Sequence, residues 1–378
     1  MQQYDFVRRL DSMGIDRPAN RLHINLGLLI TLFLLCITGL FMLYSASEKS
    51  LFYVKRQAVI MFVGFLGMLV AAQFPVRFWE RWAFLLYAIA VLSLMAVMFF
   101  GVEAKGATRW LDLGITRFQP SEITKIAVPM MVSAYLGKRY IPPTFKHVLV
   151  AFLMVLVPVL AIIRQPDLGT AILVFASGFF VLFLAGLRKR YLITTALAAI
   201  AAVPALWIYV MRDYQKQRVL TLLSPEDDKF GAGWNIIQST TAIGSGGLKG
   251  KGWTQGTQSQ LNFLPESHTD FIIAVLAEEF GLVGVIVLTV LYLILIGQCM
   301  MIAVNAQSQF GRLIAGSISL TFFIYVFVNM CMVSGILPVV GVPLPLISYG
   351  GTAIVTLFFG FGILMAISSE PRQLRTQR

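Results

Sequence analysis

The sequence predicts an all-α integral membrane protein of about ten transmembrane helices. Two observations carry that prediction. Of 378 residues, 58% are hydrophobic and 13% charged, which is more apolar surface than a water-soluble domain of this length can bury. Apolar runs of about 20 residues recur along the chain, the length at which a helix crosses the hydrocarbon core with its backbone polar groups satisfied internally.

The spans expected from those runs are Leu26–Tyr44, Phe52–Phe74, Trp82–Phe100, Ser121–Leu136, Val148–Ile163, Leu168–Leu187, Tyr191–Val210, Asp270–Gln298, Arg312–Ser334 and Pro345–Ser368. Residues 1–378 read as a single polytopic domain, without internal repeats or low-complexity tracts. A large extracytoplasmic loop, 211–269, lies within it between the seventh and eighth helices. The polar stretch Met1–Arg21 leads into a full-length span with no small-residue cleavage site, so no cleavable signal is expected.

Basic residues beside helix ends set the orientation. Ten spans place both termini on one side. That side carries Arg8, Arg9, Arg17, Arg21, Arg77, Arg81, Lys138, Arg139, Lys146, Arg188, Lys189, Arg190, Arg312, Arg372, Arg375 and Arg378, and is read as cytoplasmic. The opposite side still holds Lys49, Lys55, Arg56, Lys105, Arg109, Arg117 and Arg164. Cations on a translocated face suit an anionic substrate, as does the formal net charge of +12, which also fits anionic lipids. No basic-aromatic platform points to nucleic acid. Cys36, Cys299 and Cys331 lie in or at the ends of apolar runs and read as small hydrophobes.

Four polar constellations fall on the extracytoplasmic side. In the long loop, Gly231-Ala-Gly-Trp-Asn-Ile-Ile-Gln-Ser-Thr suggests a short interfacial helix over Trp234–Ala242. The glycine run 244–252, which contains Lys249, would let backbone amides approach a phosphate. The loop ends at Glu266-Ser-His-Thr-Asp-Phe: Ser267 or Thr269 is expected to cap the eighth span, placing Asp270 in its first turn beside His268. There the helix dipole favours ionisation while partial burial makes the carboxylate a better base. Glu278 and Glu279 follow two turns deeper, where an unpaired carboxylate is costly.

The second constellation runs from Gly106 through Arg109 to Gln119-Pro-Ser-Glu-Ile-Thr-Lys, with Glu122 and Lys125 one turn apart on one helix face. Arg164-Gln-Pro-Asp-Leu-Gly-Thr supplies Asp167. In Leu346-Ile-Ser-Tyr-Gly-Gly-Thr, Ser348 and Tyr349 are candidate substrate contacts, and Gly350 and Gly351 would permit close helix approach. An outer-face cavity lined by acids and bases follows, fit for group transfer or transport.

Together these segments resemble the SEDS family of bacterial membrane glycosyltransferases. The motifs QPSEITK, QPDLGTA, FLPESHTDFIIAVLAEE and LPLISYGGT occur in that family's order and spacing. They are closer to its elongation-type members than to its division-type members. The resemblance implies polymerisation of peptidoglycan from lipid II, an undecaprenyl-diphosphate-linked disaccharide peptide. It also implies a bacterial inner-membrane location with the active site facing the periplasm, and a class B penicillin-binding transpeptidase as partner. The family's essential aspartate falls on Asp270, its Glu-x-x-Lys pair on Glu122 and Lys125, and its Pro-Asp-Leu-Gly aspartate on Asp167.

The expected chemistry is an inverting transfer in which Asp270 is the base, supported by His268. Lys125, Arg109, Arg218 and Lys249 would balance the leaving diphosphate. A divalent cation, magnesium or manganese, could do so with Asp270 as a ligand, although no ligand spacing displays one. Two competing classes are a flippase for a lipid-linked precursor and a non-catalytic scaffold that activates a transpeptidase.

Overall fold

The computed structural model describes residues 23–371 except 105–106, 113, 115–116, 228–231, 261–263 and 265. The terminal basic residues Arg8, Arg9, Arg17, Arg21, Arg372, Arg375 and Arg378 therefore lie outside the described residues. So do Lys105, Gly106 and Gly231, and Phe263 and Pro265 of the loop motif.

Helices dominate in the order α1 Leu26–Ala46, α2 Leu51–Gln73, α3 Val76–Phe100, α4 Pro120–Gly137, α5 Phe145–Arg164, α6 Leu168–Leu184 and α7 Lys189–Ala205. They continue with α8 Asp213–Leu223, α9 Ala232–Gly246, α10 Thr257–Gln260, α11 Ile272–Asn305, α12 Gln309–Val333 and α13 Thr352–Ser368. Between α3 and α4 lies an element that hydropathy did not announce, a small antiparallel sheet of β1 Val102–Ala104, β2 Ala107–Asp112 and β3 Arg117–Phe118, in the order β1-β2-β3. Among the described residues, α1, α2, α3, α5, α11, α12 and the stretch Lys189–Tyr209 are long and apolar enough to cross a membrane, while α6 and α13 are shorter apolar helices.

Side-chain exposure fits a hydrocarbon surround. Phe33, Phe62, Phe84, Leu92, Leu197 and Ile200 all stand exposed on helix surfaces, a continuous display that water would penalise and lipid does not. Inside, α13 lies along α2, α12 packs on α6 and α11, and α4 is enclosed by α3, α6 and α12. One end of the bundle gathers the α4–α5 and α6–α7 turns and the start of α12. There a Cβ at Gly137 would touch Phe310, and Glu370 feels Arg77, Glu80 and the Ser308 hydroxyl. The opposite end carries the sheet and the long insertion between α7 and α11.

That insertion departs from expectation. The eighth span does not begin at Asp270. Asp270 lies in a turn, helix α11 starts at Ile272, and Thr269 Oγ1 donates to Glu266 instead of capping it. Helix α11 is also broken: Gly281 takes φ 64°, ψ −161°, a conformation that L side chains avoid. Before the break residues 272–279 are buried in protein, and after it Leu282, Val283, Ile286 and Val287 are exposed. Residues 282–305 are long enough to cross the hydrocarbon alone, at about 1.5 Å per residue. The piece 272–280 instead packs against α9 within the protein.

The glycine run expected to cradle phosphate is the seam of this packing. A Cβ on Gly246 would stand 2.0 Å from the Ala277 carbonyl oxygen, so the two backbones touch. The amides of Gly250, Lys251 and Gly252 donate to the carbonyls of Gly246, Glu278 and Glu279, leaving none of these three for a ligand. The carboxylates expected to be costly are partnered as well. One buried oxygen of Glu278 accepts from Lys251 Nζ (2.8 Å), the Thr257 amide (2.7 Å), Thr257 Oγ1 (3.1 Å) and the Gln258 amide (2.9 Å). Glu279 accepts from Ser45 Oγ at the end of α1.

The seam yields a stability prediction. Gly246→Ala forces a methyl into the Ala277 carbonyl, and overpacking of this kind costs about 1–3 kcal/mol. Gly244→Ala meets nothing within 4 Å and should leave the helix unchanged or stabilise it by up to about 1 kcal/mol. Thermal unfolding of the detergent-purified chain separates the two. Equal midpoints would contradict the seam.

Candidate functional site

Three groups of polar side chains meet at the end of the bundle that carries the insertion. The first is the turn 266–271. Ser267 Oγ donates to the carbonyl of Ala46 (2.9 Å), fixing the turn to the end of α1. The Tyr349 amide donates to the His268 carbonyl (2.9 Å), and the rings of His268, Tyr53 and Tyr349 form a cluster, with the tyrosine centroids 5.1 and 6.1 Å from His268 and 5.4 Å from each other. Asp270 is half-buried. Its carboxylate reaches the backbone at Gly341, where a Cβ would lie 3.7 Å from Oδ2.

The second group is the predicted pair on α4. Pro120 at the helix start and the 3.6-residue repeat set Glu122 and Lys125 on one face, and Lys125 Nζ lies 2.7 Å from Glu122 Oε1. Both are buried, and Lys125 also donates to the Tyr325 hydroxyl on α12. They line a cleft with Thr321, Phe322, Thr356 and Phe361.

The third group joins Arg109, Asp167 and Arg218 at a cavity of about 400 Å³, which Gln215, Pro338 and Val340 also line. Asp167 caps α6 by accepting from the Thr170 amide (3.2 Å). Its other oxygen faces Gln119 Nε2 (3.3 Å) and Arg109 Nε (3.7 Å), and Arg109 Nη2 donates to the Pro166 carbonyl (2.8 Å). Strand β2 brings Arg109 to this place, and the insertion brings Arg218 through α8.

The segment between α12 and α13 connects the three groups. Val340 lines the cavity of the third group, Gly341 meets the Asp270 carboxylate, and Val342 packs with Tyr325 and Leu173. Its apolar run 345–351 was expected to belong to the last span, yet it is an irregular loop and α13 begins at Thr352. Buried Gln57 on α2 holds that loop in place: its Nε2 donates to the Ser348 carbonyl (3.0 Å) and its Oε1 accepts from the Gly350 amide (3.3 Å). Ser348 is buried, with its hydroxyl accepting from the Leu344 amide (2.9 Å). Gly350 and Gly351 contact no neighbouring helix closely, contrary to the expected close approach.

Of the predicted site residues, Asp270, His268, Ser348 and Tyr349 therefore share one cluster, Glu122 and Lys125 a second, and Arg109, Asp167 and Arg218 a third. Lys249 stands exposed on the turn after α9, which packs on Glu279 and Gly281, about two turns along α11 from its start at Ile272. Sequence reasoning missed Tyr325, Asn329 and Gln57. The only signal for them was a polar side chain inside an apolar run.

The profile of the family described as cell cycle protein, FTSW_RODA_SPOVE, matches residues 25–373. The chain belongs to that family. It is 52% identical over 355 residues to the peptidoglycan glycosyltransferase MrdB of Escherichia coli K12, covering 94% of this chain and 96% of that one. It is 39% identical over 356 residues to the probable peptidoglycan glycosyltransferase FtsW of Geobacter sulfurreducens, covering 91% and 94%. Among solved structures, a chain of a peptidoglycan synthase complex that coordinates polymerization and crosslinking superposes with a TM-score of 0.80 at 29% identity, over 91% of this chain and 97% of that one. The rod shape determining protein RodA of Thermus thermophilus superposes with a TM-score of 0.70 at 28% identity, over 92% and 98%.

The α4 pair gives a second prediction. Lys125→Ala leaves Glu122 buried without its cation and should cost about 3–5 kcal/mol. Replacing both, Glu122→Gln with Lys125→Met, should recover part of that loss. Unfolding midpoints of the three proteins check it, and a single variant as stable as the parent would contradict a buried, ionised pair.

Proposed function

We propose that the chain, a peptidoglycan glycosyltransferase, polymerises lipid II by inverting transfer, with Asp270 as the general base. The 4-hydroxyl of the incoming lipid II sugar attacks the anomeric carbon of the growing chain's terminal unit. The new β-1,4 C–O bond forms as the α C–O bond to undecaprenyl diphosphate breaks. The hydroxyl proton passes to Asp270, and the diphosphate leaves with the bonding pair. Such a displacement needs a base on one side of the reacting carbon and positive charge on the other.

The observation that carries this reading is the placement of the Asp270 carboxylate at the 338–349 segment, whose Pro338 and Val340 line the cavity of Arg109 and Arg218 and whose Val342 packs on Tyr325, a wall of the other cavity. Lys125 in one cavity and Arg109 with Arg218 in the other supply cations for the diphosphate. His268 and Tyr349 are assigned to the sugar side of the site, Ser348, buried with its hydroxyl on the Leu344 amide, to shaping their loop, and Glu122 and Asp167 to holding the cations. Lys249 would act on a lipid headgroup or stem peptide from the exposed turn.

Ten crossings are counted by adding α4, α6 and α13 to the seven long spans. Both termini are then cytoplasmic, and the Asp270 end of the bundle faces the periplasm of an inner-membrane protein. Residues 211–269 form the insertion at that face. A class B penicillin-binding transpeptidase is the proposed partner, in keeping with the likeness to a synthase complex. Were a divalent cation, magnesium or manganese, to serve the reaction, Asp270 would be its carboxylate ligand and the ion would supply positive charge to the diphosphate; no three His, Cys, Asp or Glu side chains converge among the described residues.

Purified chain given lipid II tests the assignment. Asp270→Asn should reduce polymer formation by about 10²–10⁴-fold, the usual contribution of a positioned base. A normal rate in that variant would remove Asp270 from the mechanism.

A further inference from the structure

The Asp270 turn is held from beneath by one buried amide. Asn329 lies on α12, fully buried, one helical turn beyond Tyr325. Its Nδ2 donates to the carbonyl of Asp270 (3.0 Å) and to the carbonyl of Val342 (2.7 Å). Both partners are carbonyl acceptors, so the nitrogen and not the oxygen must face them, and the amide's orientation follows from chemistry alone. Both N–H groups are thereby committed. Among the described residues nothing donates to its Oδ1 atom.

The two carbonyls belong to the two pieces of chain whose separation matters. One is the backbone of Asp270. The other lies one residue past Gly341, the group that faces the Asp270 carboxylate. Asn329 thus bolts the turn to the segment against which that carboxylate rests. It does so from the helix that carries Tyr325, the partner of Lys125. A shorter or acceptor side chain at 329 frees both segments together.

We infer that Asn329 is a positioning residue for the transfer reaction, setting where the Asp270 carboxylate stands relative to the 338–349 segment. This rests on the assignment of Asp270 as base, and it adds a residue that touches neither substrate nor reacting atoms. Because it acts through geometry, its loss should lower turnover and leave substrate affinity nearly intact. Displacing a catalytic group by about 1 Å costs up to about 100-fold in rate.

The test follows lipid II polymerisation by the full-length purified chain, with unfolding midpoints recorded in parallel. Asn329→Ala is expected to lower kcat by roughly 10- to 100-fold with KM changed by less than about threefold. Ser317→Ala is the comparison, because it removes a buried hydroxyl-to-carbonyl bond (2.6 Å to Ser177) elsewhere on α12. It should lower the midpoint while leaving kcat near the parent value. A fall in kcat no greater than that of Ser317→Ala at matched midpoint overturns the inference, as does a loss confined to KM. If Asn329→Ala does not fold, Asn329→Ser, which is also too short to reach either carbonyl, is read by the same two criteria with the same expected loss. Normal polymerisation by Asp270→Asn would sink the base assignment itself. An inactive Asp270→Asn beside a fully active Asn329→Ala would sink only the inference made here.

Discussion

The position of Asp270 depends on a backbone-to-backbone seam. Helix α9 and the buried piece 272–280 approach until Gly246 rests on the Ala277 carbonyl, and the loop that follows α9 is tied down by a single oxygen of Glu278. Either half alone would be unstable. Open the seam, and Glu278 becomes a buried carboxylate without donors, a cost of several kcal/mol in an apolar interior. Close it, and the amides of the glycine run find carbonyls and the carboxylate finds four donors. The insertion is thus held in one arrangement, and the turn that carries Asp270 inherits that rigidity.

From the turn, order spreads through two side chains and a loop. Gln57 grips the loop after Leu346 by both faces of its amide, while Asn329 grips the segment before it. The same segment touches both cationic groups: Val342 packs on Tyr325, the partner of Lys125, and Pro338 and Val340 line the cavity of Arg109 and Arg218. Lys125 and Arg109 are braced by protein acceptors, so they need little reorganisation when negative charge develops nearby. Preorganised charge of this kind is the term that usually dominates the stabilisation of a charged transition state.

Much of this was legible in the chain, and what was not has a physical reason. Hydropathy placed α1, α2 and α12 to within a few residues, because lipid-facing side chains must be apolar along a whole helix. The pair Glu122–Lys125 was legible because i, i+3 spacing is a property of the helix itself. Hydropathy cannot tell a side chain buried in protein from one facing lipid. So the apolar runs at 272–280 and 345–351 were read as parts of spans, when one is an enclosed helix and the other an irregular loop. The partners of Gln57 and Asn329 are remote: Gln57 reaches Ser348 and Asn329 reaches Asp270. No local pattern marks such a bond. Glycines at 246 and 250 read as freedom for a ligand when they are freedom for another backbone.

The distribution of polar groups also bears on transport as an alternative. A carrier that moves a charged headgroup across the bilayer needs polar or solvated positions along its path, near the midplane above all. Among the described residues, the ionisable side chains of the site gather at one end. The buried hydroxyls farther along α12 are spent on backbone, with Ser317 donating to the Ser177 carbonyl and Ser319 to that of Ala315. Beyond them Leu313 and Ile314 of α12 and Ile363 and Leu364 of α13 are buried hydrocarbon. A diphosphate bound near Lys125 would face that barrier on its way to the Arg77 end of the bundle, whereas departure toward the end that carries Asp270 meets Arg109 and Arg218. The same asymmetry that disfavours passage favours chemistry performed and released on a single face.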